Sequence, residues 1–226
     1  MKKMELTLIE DFLLISLDDE KGSFILDTTY VNNGLAGAVM LELALNGKIE
    51  LRDNFIHLKN GDPIDDLILD QTIQAIKNEK KDKKVGFWIG ALNANASDIK
   101  NVTLKKLTDK GIISKQKGKT LWVFSYNKYP TKDALPENEV RSRLNNIVLN
   151  KMEPTPKCLM LLNLIDVCEL SFEVYRTKDV RKAAKNKIRE LTKSSSDITD
   201  QTTLEVQTAI IAATMSAVIA STTAST

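Results

Sequence analysis

The sequence predicts a mainly α-helical fold that carries one or two β-hairpins. Segments of helical length, with apolar residues three and four positions apart, recur along the chain. One of them, residues 159–167, is apolar on nearly all sides, which is typical of a helix buried at the centre of a domain. Because 42% of the 226 residues are hydrophobic, the chain can fill a sizeable core, and we expect a single domain over residues 1–226.

The amino-terminal region contains the start signal of a helix. Thr7 and Glu10 stand at the spacing of a capping box, in which the two side chains satisfy free backbone amides, and a run of apolar residues follows. We expect this first helix to end near Asp18. A short strand over Phe24 to Leu26 and a second helix that opens at residues 32–34 are predicted next.

Two units of helix, glycine and hairpin share one pattern. In the first, the helix ends at Gly47, and residues 48–52 and 55–58 pair around a turn at Asp53-Asn54. In the second, a helix over residues 96–110 ends at Gly111, which favours a left-handed stop. Ile112 and Ile113 then begin a strand, and the resulting hairpin extends to Phe124.

The second hairpin is the best candidate contact surface of the chain. A two-residue turn at Lys117-Gly118 would pair Gln116 with Lys119 and Ile113 with Trp122, so that a cationic tip stands on an apolar stem. An anionic membrane suits such a hairpin, since each lysine contributes about 1 kcal/mol near the surface and an indole favours the headgroup zone. The alternative is a solvated lysine turn with Trp122 and Phe124 in the core. The candidate residues are Lys115, Lys117, Lys119, Leu121 and Trp122.

The remaining chain is predicted to be helical. The helices cover residues 64–76, 137–152, 157–170, 178–191 and 202–221, and a packed segment covers 85–92. The helix over 178–191 is basic and amphipathic, with Lys178, Arg181, Lys182, Lys185, Lys187 and Arg189 around a narrow apolar stripe without aromatic residues. We expect it to be an ordinary surface helix packed on the core, the alternative being a helix that lies on lipid.

Targeting signals and disulfides are not expected. Glu10 and Asp11 interrupt the apolar run that a secretory signal needs. The apolar stretch over residues 209–220 is shorter than the roughly 20 residues that span a bilayer. Cys158 and Cys168 lie in a leucine-rich segment, where a buried pair of free thiols is expected. We therefore predict a cytoplasmic protein.

No pattern of catalytic or ligating residues stands out, so we predict a non-catalytic chain without cofactor or metal. The single histidine, His57, alternates with apolar residues in a predicted strand and lacks partners at zinc spacing. The acidic group at Asp62, Asp65, Asp66 and Asp70 allows a magnesium site, but a helix capped by Asp62 explains it better. Neither a glycine-rich phosphate loop nor a serine elbow is found.

Several strings of residues, in order along nearly the whole chain, resemble Golgi phosphoprotein 3 domains. They are residues 6–10 (LTLIE), 18–22 (DDEKG), 34–37 (GLAG), 41–49 (LELALNGKI), 61–62 (GD), 69–70 (LD), 107–112 and Tyr129-Pro130. The resemblance implies a central helical bundle surrounded by amphipathic helices, with a projecting hairpin that matches Lys115 to Thr120.

The resemblance also implies a function. Characterised members of this family are peripheral Golgi proteins that bind phosphatidylinositol 4-phosphate and the cytosolic tails of glycosyltransferases, and thereby retain those enzymes. In the family the hairpin is implicated in self-association and membrane contact. By resemblance we expect anionic lipid headgroups and cytosolic tails of membrane proteins as partners, and a homo-oligomer formed through the hairpin.

The residues of the family's lipid pocket differ here. A tryptophan and several arginines of the family correspond to Asp27, Ala36, Ser97 and Lys100, so Lys100 alone keeps a cation. Because a phosphoinositide needs several cationic donors, we expect weak recognition of that lipid. The chain also begins almost directly at the domain, without the long acidic leader of the animal proteins. We therefore expect a compact bacterial-type member.

Nucleic-acid binding is the competing hypothesis. Lys100, Lys105, Lys106 and Lys110 decorate a helix that precedes a wing-like hairpin, as in winged-helix proteins. The whole chain, with 32 basic and 30 acidic residues, carries a formal net charge of only +2. A nearly neutral molecule attracts nucleic acid weakly, so this partner is not expected.

Overall fold

The fold is mainly helical, as predicted. The structure is a computed structural model that describes residues 5–120, 124–175, 177–193 and 199–223. The helices are α1 (Leu8–Ile15), α2 (Thr28–Leu45), α3 (Leu67–Asn78), α4 (Val85–Ala94), α5 (Ala96–Asp109), α6 (Leu135–Val148), α7 (Pro156–Val167), α8 (Ser171–Val174), α9 (Lys178–Lys193) and α10 (Gln201–Thr223). The strands are β1 (Ile49–Arg52), β2 (Phe55–Leu58), β3 (Lys83–Lys84), β4 (Gln116–Thr120) and β5 (Phe124–Lys128).

The centre of the fold is α2, which packs against α1, α4, α7 and α10. Its residues from Leu35 to Ala44 are all buried, on every side of the helix. The segment over 159–167 was predicted to be central, and it is α7, whose residues from Cys158 to Ile165 are buried against α2. Two central helices therefore share the core. Cys158 and Cys168 are both buried and free.

The capping box at the start of α1 is confirmed. The Thr7 hydroxyl accepts a hydrogen bond from the Glu10 amide at 3.2 Å, and the Glu10 carboxylate accepts one from the Thr7 amide at 2.8 Å. The helix ends at Ile15, before the predicted Asp18.

The predicted start of the second helix at residues 32–34 is wrong. The Asp27 carboxylate accepts a hydrogen bond from the Thr29 amide at 2.8 Å and starts α2 there, so residues 32–34 lie within the helix. Asn33 is buried and bonds to the Asn93 side chain at 2.7 Å. The predicted strand over 24–26 is also wrong, since Phe24 forms only an isolated bridge with Leu17.

The first hairpin is confirmed, with Ile49 opposite Leu58 and a turn at Asp53 and Asn54, whose φ angles are 51° and 65°. Positive φ at both central residues matches the twist of the paired strands. The next helix is capped by Asp66, which accepts from the amides of Ile68 and Leu69, and not by Asp62 as predicted. The cap of this helix is therefore about one turn later in the sequence than predicted.

The last helix is longer than its predicted apolar stretch. α10 has 23 residues and a mean hydropathy of 1.5 in its most apolar window, so by length and composition it could cross a membrane. It lies along α2, α4 and α7, and 28% of that window is buried. Near its carboxyl end, serine and threonine hydroxyls donate to carbonyls about one turn earlier in the helix, as in Ser221 to Ala217.

Replacing Gly34 with alanine is expected to destabilise the fold by about 1–3 kcal/mol, because overpacking a filled core displaces its neighbours. A Cβ at Gly34 would overlap the Phe12 ring and lie 2.9 Å from the Cys168 sulfur. Gly90 in α4 is the matched control, since no atom lies within 4 Å of its added Cβ. Gly90→Ala should stabilise by up to about 1 kcal/mol through helix propensity. Urea denaturation of both variants measures the difference, and equal midpoints would contradict this packing.

Candidate functional site

The second hairpin differs in register from the prediction. Gln116 pairs with Lys128, Gly118 with Tyr126 and Thr120 with Phe124, so the strands connect through residues 121–123 and not at Lys117-Gly118. Gly118 lies within β4, where the Tyr126 ring and the Lys128 side chain cover it. An added Cβ would lie 2.7 Å from each of these side chains, which favours glycine at this position. The predicted strand at Ile112 and Ile113 is a single bridge from Ile113 to Thr131.

The new register changes the placement of the predicted lysines. Lys117 stands opposite Asn127 and Lys119 opposite Ser125, so these positions belong to one face of the hairpin instead of its tip. Lys115 and Lys117 are exposed. The side chain of Lys119, together with Leu121 and Trp122, lies outside the described residues. The predicted contact of the indole with a membrane therefore stays a prediction.

The base of the hairpin is held by the loop between α1 and α2, residues 17–24. The Tyr129 amide donates to the Gly22 carbonyl at 2.8 Å, and the Thr131 amide donates to the Asp19 carbonyl at 3.0 Å. Gly22 has a φ of +62°, and a Cβ there would overlap the backbone of Tyr129 and Pro130. Only glycine allows this approach without strain.

The predicted lipid-binding lysine, Lys100, contacts the same loop. Its ammonium nitrogen lies 5.2 Å from the centre of the Phe24 ring, a cation–π distance. Because Phe24 and Gly22 are two residues apart, Lys100 and the hairpin base adjoin one short segment. The loop therefore connects the two predicted parts of the site.

The other positions of the family's lipid pocket do not form a cationic pocket. Ala36 is fully buried inside α2, and Ser97 is exposed on α5. Asp27 is exposed, and its carboxylate caps α2. The hydrogen bond from the Thr29 amide lowers the pKa of this carboxyl, so Asp27 adds a negative charge close to Phe24. Of the four positions, Lys100 alone offers a cation to a ligand.

A buried carboxyl group lies near the loop over residues 17–24. Glu137 of α6 is 2% exposed, and Arg141 lies 2.5 Å from one of its oxygens. Burial, and after it the proximity of the Asp19 carboxyl, raises the pKa of Glu137 to about 7, against the opposing effect of Arg141. The Asp19 carboxylate also accepts from the Thr131 hydroxyl at 2.8 Å. Asp19 thus adjoins both α6 and the hairpin base.

Sequence patterns did not identify Asp19, Glu137 or Tyr126. The first two are 118 positions apart in the sequence, and neither a motif nor a periodicity connects them. The predicted hairpin ends at Phe124, before Tyr126. The prediction therefore did not include the contact of Tyr126 with Gly118. A strand pattern over 124–128, read as the second strand, would have found it.

The helix that suggested nucleic-acid binding has few available cations. Lys105 pairs with Asp109 at 2.5 Å, Lys106 with Asp66 at 2.5 Å, and Lys110 with Glu10 at 2.6 Å. Three of its four lysines are therefore compensated by carboxylates, which leaves Lys100.

The comparison with known families agrees with the fold. The family model described as Golgi phosphoprotein 3 matches residues 8–214, nearly the whole chain. The chain belongs to the Golgi phosphoprotein 3 family. It is similar to vacuolar protein sorting-associated protein 74 of Schizosaccharomyces pombe, with 22% identity over 172 residues. The alignment covers 67% of this chain and 50% of that relative, so the chain spans about half the length of the relative.

Membership of the Golgi phosphoprotein 3 family confirms the predicted resemblance and the mainly helical architecture. In the described part of the chain, no cluster of three or more histidine, cysteine, aspartate or glutamate side chains is arranged to hold a metal ion. His57 contacts one carboxylate, that of Asp82, at 3.6 Å.

The raised pKa of Glu137 predicts that the stability of the fold depends on pH. A carboxyl group whose pKa is raised on folding stabilises the fold in its protonated form, so its contribution is present below about pH 4.5 and is lost as pH rises through about 7. The loss is roughly 3 kcal/mol by the size of the shift. Glu137→Gln should remove this loss, so the difference in unfolding free energy between wild type and variant changes from about pH 5 to about pH 8.

The control is Glu153→Gln at an exposed position. The difference in unfolding free energy between this variant and the wild type should stay constant over the same pH range, since the side chain is exposed to solvent in both the folded and the unfolded chain. Denaturant titrations at a series of pH values give both differences. Parallel curves for wild type and Glu137→Gln would show that Glu137 titrates normally.

Proposed function

We propose that this chain is a non-catalytic peripheral membrane-binding adaptor whose hairpin end faces an anionic membrane. The observation that carries the proposal is the loop over residues 17–24, which holds the hairpin base at Gly22 and carries Phe24 beneath Lys100. Cations from two distant parts of the chain thereby adjoin one segment. Surface lysines near an anionic bilayer each contribute about 1 kcal/mol, so several of them at one end give a membrane preference to that end.

The available lysines support this orientation. Among the described residues, neither Lys100, Lys115 nor Lys117 forms an ion pair with a carboxylate, in contrast to the three paired lysines of α5. An unpaired ammonium group can contact phosphate without first losing a carboxylate partner. The predicted lipid-binding residue is Lys100, and the predicted membrane or self-association hairpin comprises Lys115, Lys117, Lys119, Leu121 and Trp122.

The adaptor part of the proposal rests on the family. Its name refers to the Golgi, and the relative from fission yeast is named for vacuolar protein sorting. We propose cytosolic tails of membrane proteins as the clients and the cytosolic face of a membrane as the location. We also propose one domain over residues 1–226, a bacterial-type origin, and a homo-oligomer that forms through the hairpin.

Vesicle flotation tests the orientation. Changing Lys115, Lys117 and Lys119 to glutamate together should reduce binding to vesicles of phosphatidylcholine and phosphatidylserine by at least about tenfold, because three attractions become repulsions. Lys100→Glu should reduce binding further. Rising salt should weaken the wild type more than the variants, since exposed charges are screened.

The control variant changes Lys77, Lys80 and Lys81 to glutamate, at exposed positions on and after α3. It makes a comparable change in net charge on another part of the surface and should bind vesicles nearly as the wild type does. Equal losses in the two sets of variants would point to net charge alone and would remove the hairpin from the proposal.

Phosphatidylinositol 4-phosphate gives a narrower prediction. Because one cation remains at the pocket positions, vesicles with this lipid should bind at most a few times more tightly than vesicles of equal charge made with phosphatidylserine. Isothermal titration with both kinds of vesicle measures the ratio. A preference of a hundredfold or more would show that other residues form a specific headgroup pocket.

A further inference from the structure

An apolar groove of about 870 Å³ lies between α7, α9 and α10. Three of its lining side chains are large, apolar and about half exposed: Phe172 (48%), Met215 (51%) and Ile219 (53%). Val167 and Ile188 also line the groove. Isolated apolar residues are common on protein surfaces, but three in one concave site indicate a binding surface.

The groove lies near the same end of the molecule as the candidate membrane-binding loop. Gly37 of α2 lies against Leu164 and Thr214, whereas Gly34, one turn nearer the start of α2, lies against Cys168. Asn33 bonds to Ser221 at 3.4 Å. Both α7 and α10 therefore run antiparallel to α2, and their carboxyl ends lie beside its amino end, which follows the loop over 17–24.

The charges around the groove are divided between its walls. Arg181, Lys185 and Arg189 line the side formed by α9, a helix with seven basic and two acidic residues. Asp166 and Glu169 line the side formed by the end of α7. The excess of positive charge is therefore confined to the α9 wall.

The α10 wall has no charge at all. From Val206 to Thr223 the helix contains no charged residue, although Thr208, Ala212, Met215, Ser216 and Ile219 are exposed. A helix at a protein surface normally places charged residues on its outer face. An uncharged face beside a cationic one suits an amphiphile with an apolar chain and an anionic head.

We propose that this groove binds an anionic phospholipid, with the acyl chain along Met215 and Ile219 and the phosphate near Lys185 and Arg189. The inference deepens the proposed membrane binding and rests on it. A lipid is favoured over an acidic peptide because the groove lies at the end of the bundle that holds the loop over 17–24, and because its α10 wall is uncharged and apolar, as an acyl chain requires. The groove thus adds a contact with the hydrocarbon layer to the electrostatic contact of the hairpin.

A fluorescent probe at the groove tests the inference. Both native cysteines are buried, so Met215→Cys can be labelled selectively with an environment-sensitive fluorophore. Vesicles of phosphatidylcholine and phosphatidylserine should shift its emission to the blue, and lipids with spin-labelled acyl chains should quench it. Leu67→Cys, at a position 55% exposed on α3, is the control and should show neither effect.

Substitutions measure the contribution to binding. Met215→Gln with Ile219→Gln should weaken vesicle binding about tenfold, because each side chain loses its transfer to the hydrocarbon. Leu67→Gln with Leu149→Gln changes two similarly exposed leucines and should leave binding unchanged. Lys185→Glu with Arg189→Glu should reduce the preference of the Met215 probe for anionic over neutral vesicles, and the part of the preference that remains comes from Lys100 and the hairpin lysines.

The outcomes separate the two proposals. If the protein floats with vesicles but the probe at position 215 does not shift, the groove inference fails and the proposed membrane binding stands. If the protein does not float, both fail. A shift caused by an acidic amphipathic peptide and not by vesicles would overturn the lipid inference in favour of a protein partner.

Discussion

The close packing around Gly34 and Gly37 of α2 determines where the functional elements lie. The Phe12 ring and the Cys168 sulfur occupy the space beside Gly34, and Thr214 and Leu164 occupy that beside Gly37. Glycine in a helix costs about 1 kcal/mol relative to alanine, which the burial of an aromatic ring and a leucine offsets. Because these contacts fix the directions of α1, α7 and α10 on one helix, they also bring the ends of α7 and α10 to the amino end of α2.

The same constraint extends to the hairpin through the loop over residues 17–24. The loop connects α1 to α2, both of which are packed in the core. Its backbone carbonyls are therefore held in position to accept hydrogen bonds from the amides of Tyr129 and Thr131. Asp19 also lies near buried Glu137 of α6, and the raised pKa of Glu137 reduces the repulsion between the two carboxyl groups. The hairpin position therefore depends on core packing as well as on its own two strands.

Local signals in the sequence predicted the elements whose causes are local. The capping box at Thr7 and the turn at Asp53-Asn54 depend on neighbouring residues, and both were found. Gly118 and Gly34 were misassigned as a turn and a helix start, because glycine is typical of both. Their actual cause is a close approach by Tyr126 and Phe12, side chains that are distant in sequence or outside the predicted element. Lys100 was selected by resemblance, whereas its contact with Phe24 and the apolar groove arise only from tertiary packing.

Membrane binding does not require many cations at the family's pocket positions if the affinity comes from several weak contacts spread over the surface. A single headgroup pocket needs several donors around one phosphate, and Ala36 and Asp27 supply none. Lysines on a hairpin, one lysine over an aromatic ring and an apolar groove can each contribute weakly to the same bilayer. Since these contacts would be joined in one molecule, each would bind at the high effective concentration set by the others. The proposed surface would recognise negative charge and accessible hydrocarbon, and it would have little means to distinguish one anionic headgroup from another.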